Sequence, residues 1–221
     1  MPRKSKSKVV SGIDLVQLQI LPLMKAAGFA KRGRSFNRPA EDGIIHVLNF
    51  QSGQYPLGKN YVVPGLRESL YGDFTINLGV HLPQVFELET PDVPPVFLQE
   101  YDCQIRIRLG QLLTDGVDVW WSATDSVEET AARFPGLVEK FALPFLERFR
   151  TQEDVINEWR NAGELPFCNP GRSSLIAAVL LHADGDLAEA TMALQNAIAL
   201  NQNPGFHDYV RTIAKKLTLA I

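Results

Sequence analysis

The chain has 221 residues, enough for one large domain or a domain with a small appendage, and its 45% hydrophobic and 21% charged content suits a globular protein with its own core. A net charge of -3 gives no overall attraction to nucleic acid or an anionic membrane, so any such binding has to come from a local patch. Cys103 and Cys168 lie far apart and fit no metal-ligand or redox spacing, which points to reduced thiols in a cytoplasmic protein.

Residues 1–10, with Arg3, Lys4, Lys6 and Lys8, read as a disordered basic tail. Asp14, Gln17, Gln19 and Pro22 interrupt the apolar run that follows, so it is neither a signal core nor a membrane span. Ser11 and Asp14 resemble a helix start, with Leu15, Leu18, Leu21 and Met24 at helical spacing and Pro22 expected to kink the helix. Residues 29–38 interleave basic and aromatic side chains. A Pro-Ala-Glu-Asp-Gly turn then leads into 43–52, where His46, Leu48 and Phe50 share one strand face and Asn49 and Gln51 the other.

Residues 53–72 form a long irregular connection in which Val62 and Val63 suggest a short strand. The next alternating run, 73–82, puts Phe74, Ile76, Leu78 and Val80 inward and Thr75, Asn77 and Gly79 outward. Residues 83–95, acidic and proline-rich, are expected to be a surface excursion of solvated carboxylates. In 101–109 the apolar Cys103, Ile105, Ile107 and Leu109 alternate with Gln104, Arg106 and Arg108, a half-buried strand at the centre of the sheet. Thr114-Asp115-Gly116 then turns the chain into a strand over 117–122 carrying Trp120 and Trp121.

Asp125 with Glu128, and Thr151 with Asp154, have the spacing of helix starts, and Gly163 ends the second helix. Residues 11–163 therefore read as an α+β domain, a mainly antiparallel sheet flanked by helices. Residues 164–172 read as a linker, and 173–221 as a small all-helical C-terminal extension. Within 171–204, Gly185-Asp186, Glu189-Ala190, Ala197, Leu200 and Asn201 resemble one tetratricopeptide repeat, although Ser174 and Leu181 stand where that repeat carries large aromatics. A single repeat forms no peptide groove. The extension is expected to pack against the sheet domain or to make a homo-oligomer.

No catalytic signature stands out. None of His46, His81, His182 and His207 sits in a nucleophile motif, and only His81, at a strand end, invites a test as a base. No metal spacing or glycine-rich phosphate loop is complete, so no cofactor is expected. What remains is a shared strand face of Asn49, Gln51, Asn77, Arg106 and Arg108, extended by Lys31, Arg32, Arg34 and Trp121. Guanidinium forks beside amides suit a carboxylate, a phosphate or an acidic protein surface. An ordinary polar sheet face, with cross-strand pairs worth fractions of a kcal/mol, has the same composition.

Four blocks in order carry a broader resemblance: Gly28-Phe29-x-Lys31-Arg32-Gly33-Arg34-x-Phe36, Asn49-Phe50-Gln51-Ser52, Phe74-Thr75-x-Asn77-x-Gly79, and Arg106-x-Arg108-Leu109-Gly110 followed by Trp120-Trp121. Over roughly 12–160 the chain resembles the bacterial family catalogued as domain of unknown function 4304. That family has no established activity. Its occurrence among small cytosolic proteins, some near toxin and immunity genes, implies a non-enzymatic, immunity-like or adaptor-like interaction role. The expected partner is an acidic protein surface met by the polar face. The other reading is an enzyme or binding protein for a phosphate-containing ligand, nucleotide or nucleic acid, held by the basic 31–38 stretch; net acidity disfavours nucleic acid, and no membrane role is expected.

Overall fold

A computed structural model describes residues 7–53, 69–114 and 116–221. Helix α1 (Lys8–Ala26) starts earlier than expected, at Ser7, whose hydroxyl accepts the Val10 N–H at 3.3 Å. Its buried residues Ile13, Val16, Ile20 and Met24 repeat at helical spacing, and Pro22 lies inside one continuous helix. Strands β1 (Ala30–Arg32) and β2 (Ser35–Pro39) make a hairpin around Gly33, whose φ of 61° suits glycine. Next come β3 (Ile45–Ser52), β4 (Asp73–His81), helix α2 (Pro83–Glu89), β5 (Ile105–Arg108), the short α3 (Leu109–Leu113) and β6 (Trp121–Ser122). Helix α4 (Val127–Leu137) runs through a π turn into α5 (Leu143–Glu147), and α6 (Gln152–Ala162), α7 (Pro170–Asp184), α8 (Leu187–Ala199) and α9 (Pro204–Lys216) complete the chain. The described strands form an antiparallel sheet in the order β1-β2-β3-β4-β5, with β6 paired to β4. The protein is thus α+β with an all-helical C-terminal segment.

Several local expectations change. The first half of 83–95 is helix rather than surface excursion: Pro83 sits at the helix start, where its missing N–H costs nothing, and Val85 is buried. The strand expected over 101–109 at the centre of the sheet is β5, which stands at the end of the strand order. It stops at Arg108 because Leu109 and Gly110 turn into α3, and Gly110 backs onto Val119 so closely that a Cβ there would lie 2.6 Å from the Val119 nitrogen. Pairing at 117–122 shrinks to Trp121–Ser122. Lys8, Val9 and Val10 belong to α1 rather than to the basic tail. The strand expected at Val62 and Val63 lies outside the described residues. Thr151 and Asp154 do form a reciprocal capping box, and Gly163, at φ 76°, ends α6.

Two compact units are distinguished, each built from several stretches of chain. The first comprises Met1–Arg38, Leu48–Leu78 and Ile107–Phe145. Here α1 packs on α4, with Gly12 seated against the Ala123 carbonyl. An aromatic chain fills the core: Phe50 lies 6.4 Å from Phe36 and 6.1 Å from Phe74, and Phe134 stands 5.4 Å from Phe74 and 5.1 Å from Trp121. The second comprises Pro39–Val47, Gly79–Arg106 and Leu146–Ile221. In it α7 packs against α2, α6 and α8, and α9 against α2 and α8. Val47, Leu98 and Cys103 form a small apolar cluster, beside Gly79, where a Cβ would lie 2.6 Å from the Cys103 sulfur.

Candidate functional site

In the first unit, alternation on β3 and β4 sends Leu48, Phe50, Phe74 and Ile76 into the aromatic core and Asn49, Gln51, Thr75 and Asn77 to the other side. The three amides share that side, in two separate cross-strand hydrogen-bonded pairs. Asn77 Nδ2 donates to Gln51 Oε1 at 3.0 Å, and Asn49 Nδ2 donates to Ser35 Oγ at 2.7 Å. Asn49 is 9% and Asn77 4% exposed. These are two cross-strand polar pairs, and little of Asn49 and Asn77 faces solvent while Gln51 is half-buried.

Several residues assigned to that face lie on the opposite one. Arg34 Nη1 donates to Ser52 Oγ at 3.2 Å, and Ser52 points away from Gln51 by strand alternation. The Phe50 N–H donates to the Arg34 carbonyl at 2.9 Å, which sets Arg34 opposite Phe50. Trp121 pairs directly with Phe74, their rings 6.1 Å apart, so it is an aromatic-core residue. Both placements follow from cross-strand register, a property of strand pairs. Lys31 falls on the aromatic side too, opposite Phe36 and 5.7 Å from its ring centroid. Arg32 is exposed opposite Ser35 and stays with the amides.

On β5, Ile105 and Ile107 are buried while Arg106 is exposed and Arg108 half-buried. The Gln104 N–H donates to the Val80 carbonyl at 3.1 Å, which sets Gln104 opposite Val80 and, by alternation, puts Arg106 and Arg108 on that side of the strands rather than on the amides' side. The Arg108 guanidinium pairs with Asp118 and lies 5.3 Å from the centroid of Trp120. The indole N–H of Trp120 donates to the same Asp118 carboxylate at 2.9 Å. The adjoining Val119 carbonyl accepts the Thr75 hydroxyl at 3.4 Å, two residues from Asn77. Arg108 is therefore braced within the fold. Arg106 meets no carboxylate among the described residues.

The groups with potential reactivity are held in structural roles. His46, fully buried, donates through Nε2 to the Phe149 carbonyl at 2.8 Å. His81, the candidate base, donates through Nδ1 to the Asp102 carbonyl at 2.9 Å. Burial, reinforced by Asp102 and Glu100 against Arg106, pushes the Cys103 thiol well up. Burial also pushes the Cys168 thiol up to about 11, with Arg172 working against it. Neither is a thiolate nucleophile at neutral pH. Among the described residues, no three His, Cys, Asp or Glu gather where they would hold a metal ion.

One constellation has no local signature in the sequence. Glu89, expected in a solvated acidic run, ends α2 in the second unit and takes both terminal nitrogens of Arg172 from α7, one of them at 2.7 Å. Tyr209 of α9 donates its hydroxyl to Glu89 Oε1 at 2.7 Å, and Lys216 donates to the Leu88 carbonyl at 2.6 Å. Burial and the Glu89 carboxylate push the Tyr209 phenol up to about 12. Only the proline at the α2 start hinted that Glu89 belongs to an ordered element.

No curated protein and no solved structure matches the chain. A family model, Domain of unknown function (DUF4304), matches residues 20–148, more than half the chain and a stretch that holds Arg34, Asn49, Gln51, Asn77, Arg106, Arg108 and Trp121. The chain belongs to the DUF4304 family.

Proposed function

We propose that this chain is a non-enzymatic, cytoplasmic protein-interaction domain, immunity-like or adaptor-like in role, which binds an acidic partner through Arg106. The supporting observation is one of contrast. Arg108, Arg148, Arg150, Arg160 and Arg172 each meet a carboxylate of the chain itself. Arg106 stands exposed on a strand at the end of the sheet order and meets none among the described residues. A charged side chain there discourages strand addition and leaves a guanidinium fork for a foreign carboxylate. The amides then serve as an internal brace behind the strands.

The test is purification of the partner from the native host followed by calorimetric titration of wild type, Arg106→Ala and Arg106→Glu. Alanine is expected to weaken binding about tenfold and glutamate to abolish it, with affinity falling as salt rises. Equal affinities for wild type and the glutamate variant would sink the proposal.

A further inference from the structure

Residues 91–96 read Pro-Asp-Val-Pro-Pro-Val, and all six are exposed. Val93 is 88% and Val96 99% exposed, an unusual state for two valines three residues apart in the interior of a chain. The segment is tethered at both ends. Before it, Glu89 is held by Arg172 and Tyr209. After it, Leu98 is buried against Val47 and Cys103, and the Gln99 N–H donates to Asp102 at 2.8 Å. Val93 and Pro94 each precede a proline, which confines both to extended backbone, so much of the ordering entropy of binding is already met.

We infer that 91–96 is a recognition segment for a protein partner with an aromatic-lined groove of the kind that takes polyproline-II ligands, bordered by basic side chains. Residues 93–95 run without a bend between bends at Pro91-Asp92 and Val96. Once the groove draws the segment into a left-handed helix with three residues per turn, Val93 and Val96 share one edge and Pro91 and Pro94 the next. This gives two apolar ridges for a groove to grip. Asp92 and Pro95 occupy the third edge. Charge selects the partner's rim: Glu87 and Asp92 are exposed beside or within the segment, and residues 83–105 contain no lysine or arginine. The same acidity turns the segment away from anionic lipid. Arg106 takes no part in this surface.

The full-length chain carrying a benzophenone amino acid in place of Val96, expressed in the native host and irradiated, tests the assignment. The expected adduct joins Val96's position to a partner groove that contains Trp, Tyr or Phe with Lys or Arg beside it. Titration of that purified partner is expected to show about tenfold weaker binding for the double variant Pro94→Ala/Pro95→Ala and for Asp92→Lys. Because 91–96 is exposed, the variants should melt with wild type, so lost binding is not lost fold. Failure to form an adduct, an adduct to a second copy of this chain or to lipid, or unchanged affinity in the double-proline variant would each overturn the inference.

Discussion

The Asn77 amide is nearly buried and donates to Gln51, so truncating it leaves the Gln51 oxygen without that donor in a place water hardly reaches. Asn77→Ala is expected to cost about 1–3 kcal/mol in urea unfolding while leaving partner affinity intact. Lost affinity at unchanged stability would instead make the amide a contact residue. At the Glu89 clamp, Arg172→Ala removes a half-buried, doubly bonded partner and is expected to cost about 2–4 kcal/mol, most of it from stranding the carboxylate. Cys168 supplies a pH test. Its folded-state pKa of about 11 lies above the ordinary 9.0, so the thiol's contribution is fully present below pH 9 and is lost as pH rises through 11. Stability should fall by about 1–2 kcal/mol across that window, and Cys168→Ala should flatten the fall in a pH series of urea melts. The sequence placed Asn49, Gln51 and Asn77 on one side because strand alternation is a local property. It misplaced Lys31, Arg34, Arg106, Arg108 and Trp121 because their side depends on which residue of a neighbouring strand each one faces.

Helix α1 and helix α4 make opposite demands on glycine. A Cβ at Gly12 would run into the Ala123 backbone, whereas Gly136, inside α4, has open space around it. Gly12→Ala is expected to destabilise by about 1–3 kcal/mol, and Gly136→Ala to stabilise by about 0.5–1 kcal/mol, as read by thermal melts of the two variants. The capping box of α6 was legible because Thr151 and Asp154 signal through spacing alone. Helix α2 was not, since one buried valine in seven residues hardly outweighs the surrounding prolines and carboxylates, and its anchors come from α7 and α9. The strand through Arg106 spans 105–108 rather than 101–109: Glu100–Asp102 form a 3-10 turn before it, and at its end Leu109 keeps the apolar alternation while its backbone has already turned helical.

Within the second unit, α7, α8 and α9 are packed elements: α7 covers α2 and α6, and both α7 and α9 hold Glu89. A chain ending at residue 172 is therefore expected to lose cooperative unfolding and to aggregate, as measured by circular dichroism melts and sedimentation. A soluble product with the wild-type melting temperature would show that these helices are dispensable. The clamp also has a consequence in time. Lys216 reaches the Leu88 carbonyl across 128 residues of sequence, and at roughly 5–20 residues per second a ribosome needs on the order of ten seconds to cover that distance. Until Arg172 is made, 83 residues after Glu89, the last turn of α2 has none of its anchors, and Lys216 arrives last of all. A chain released before residue 172 would carry the whole family stretch, 20–148, with Glu89 still unheld, and is expected to be cut by proteases near α2 faster than the finished molecule.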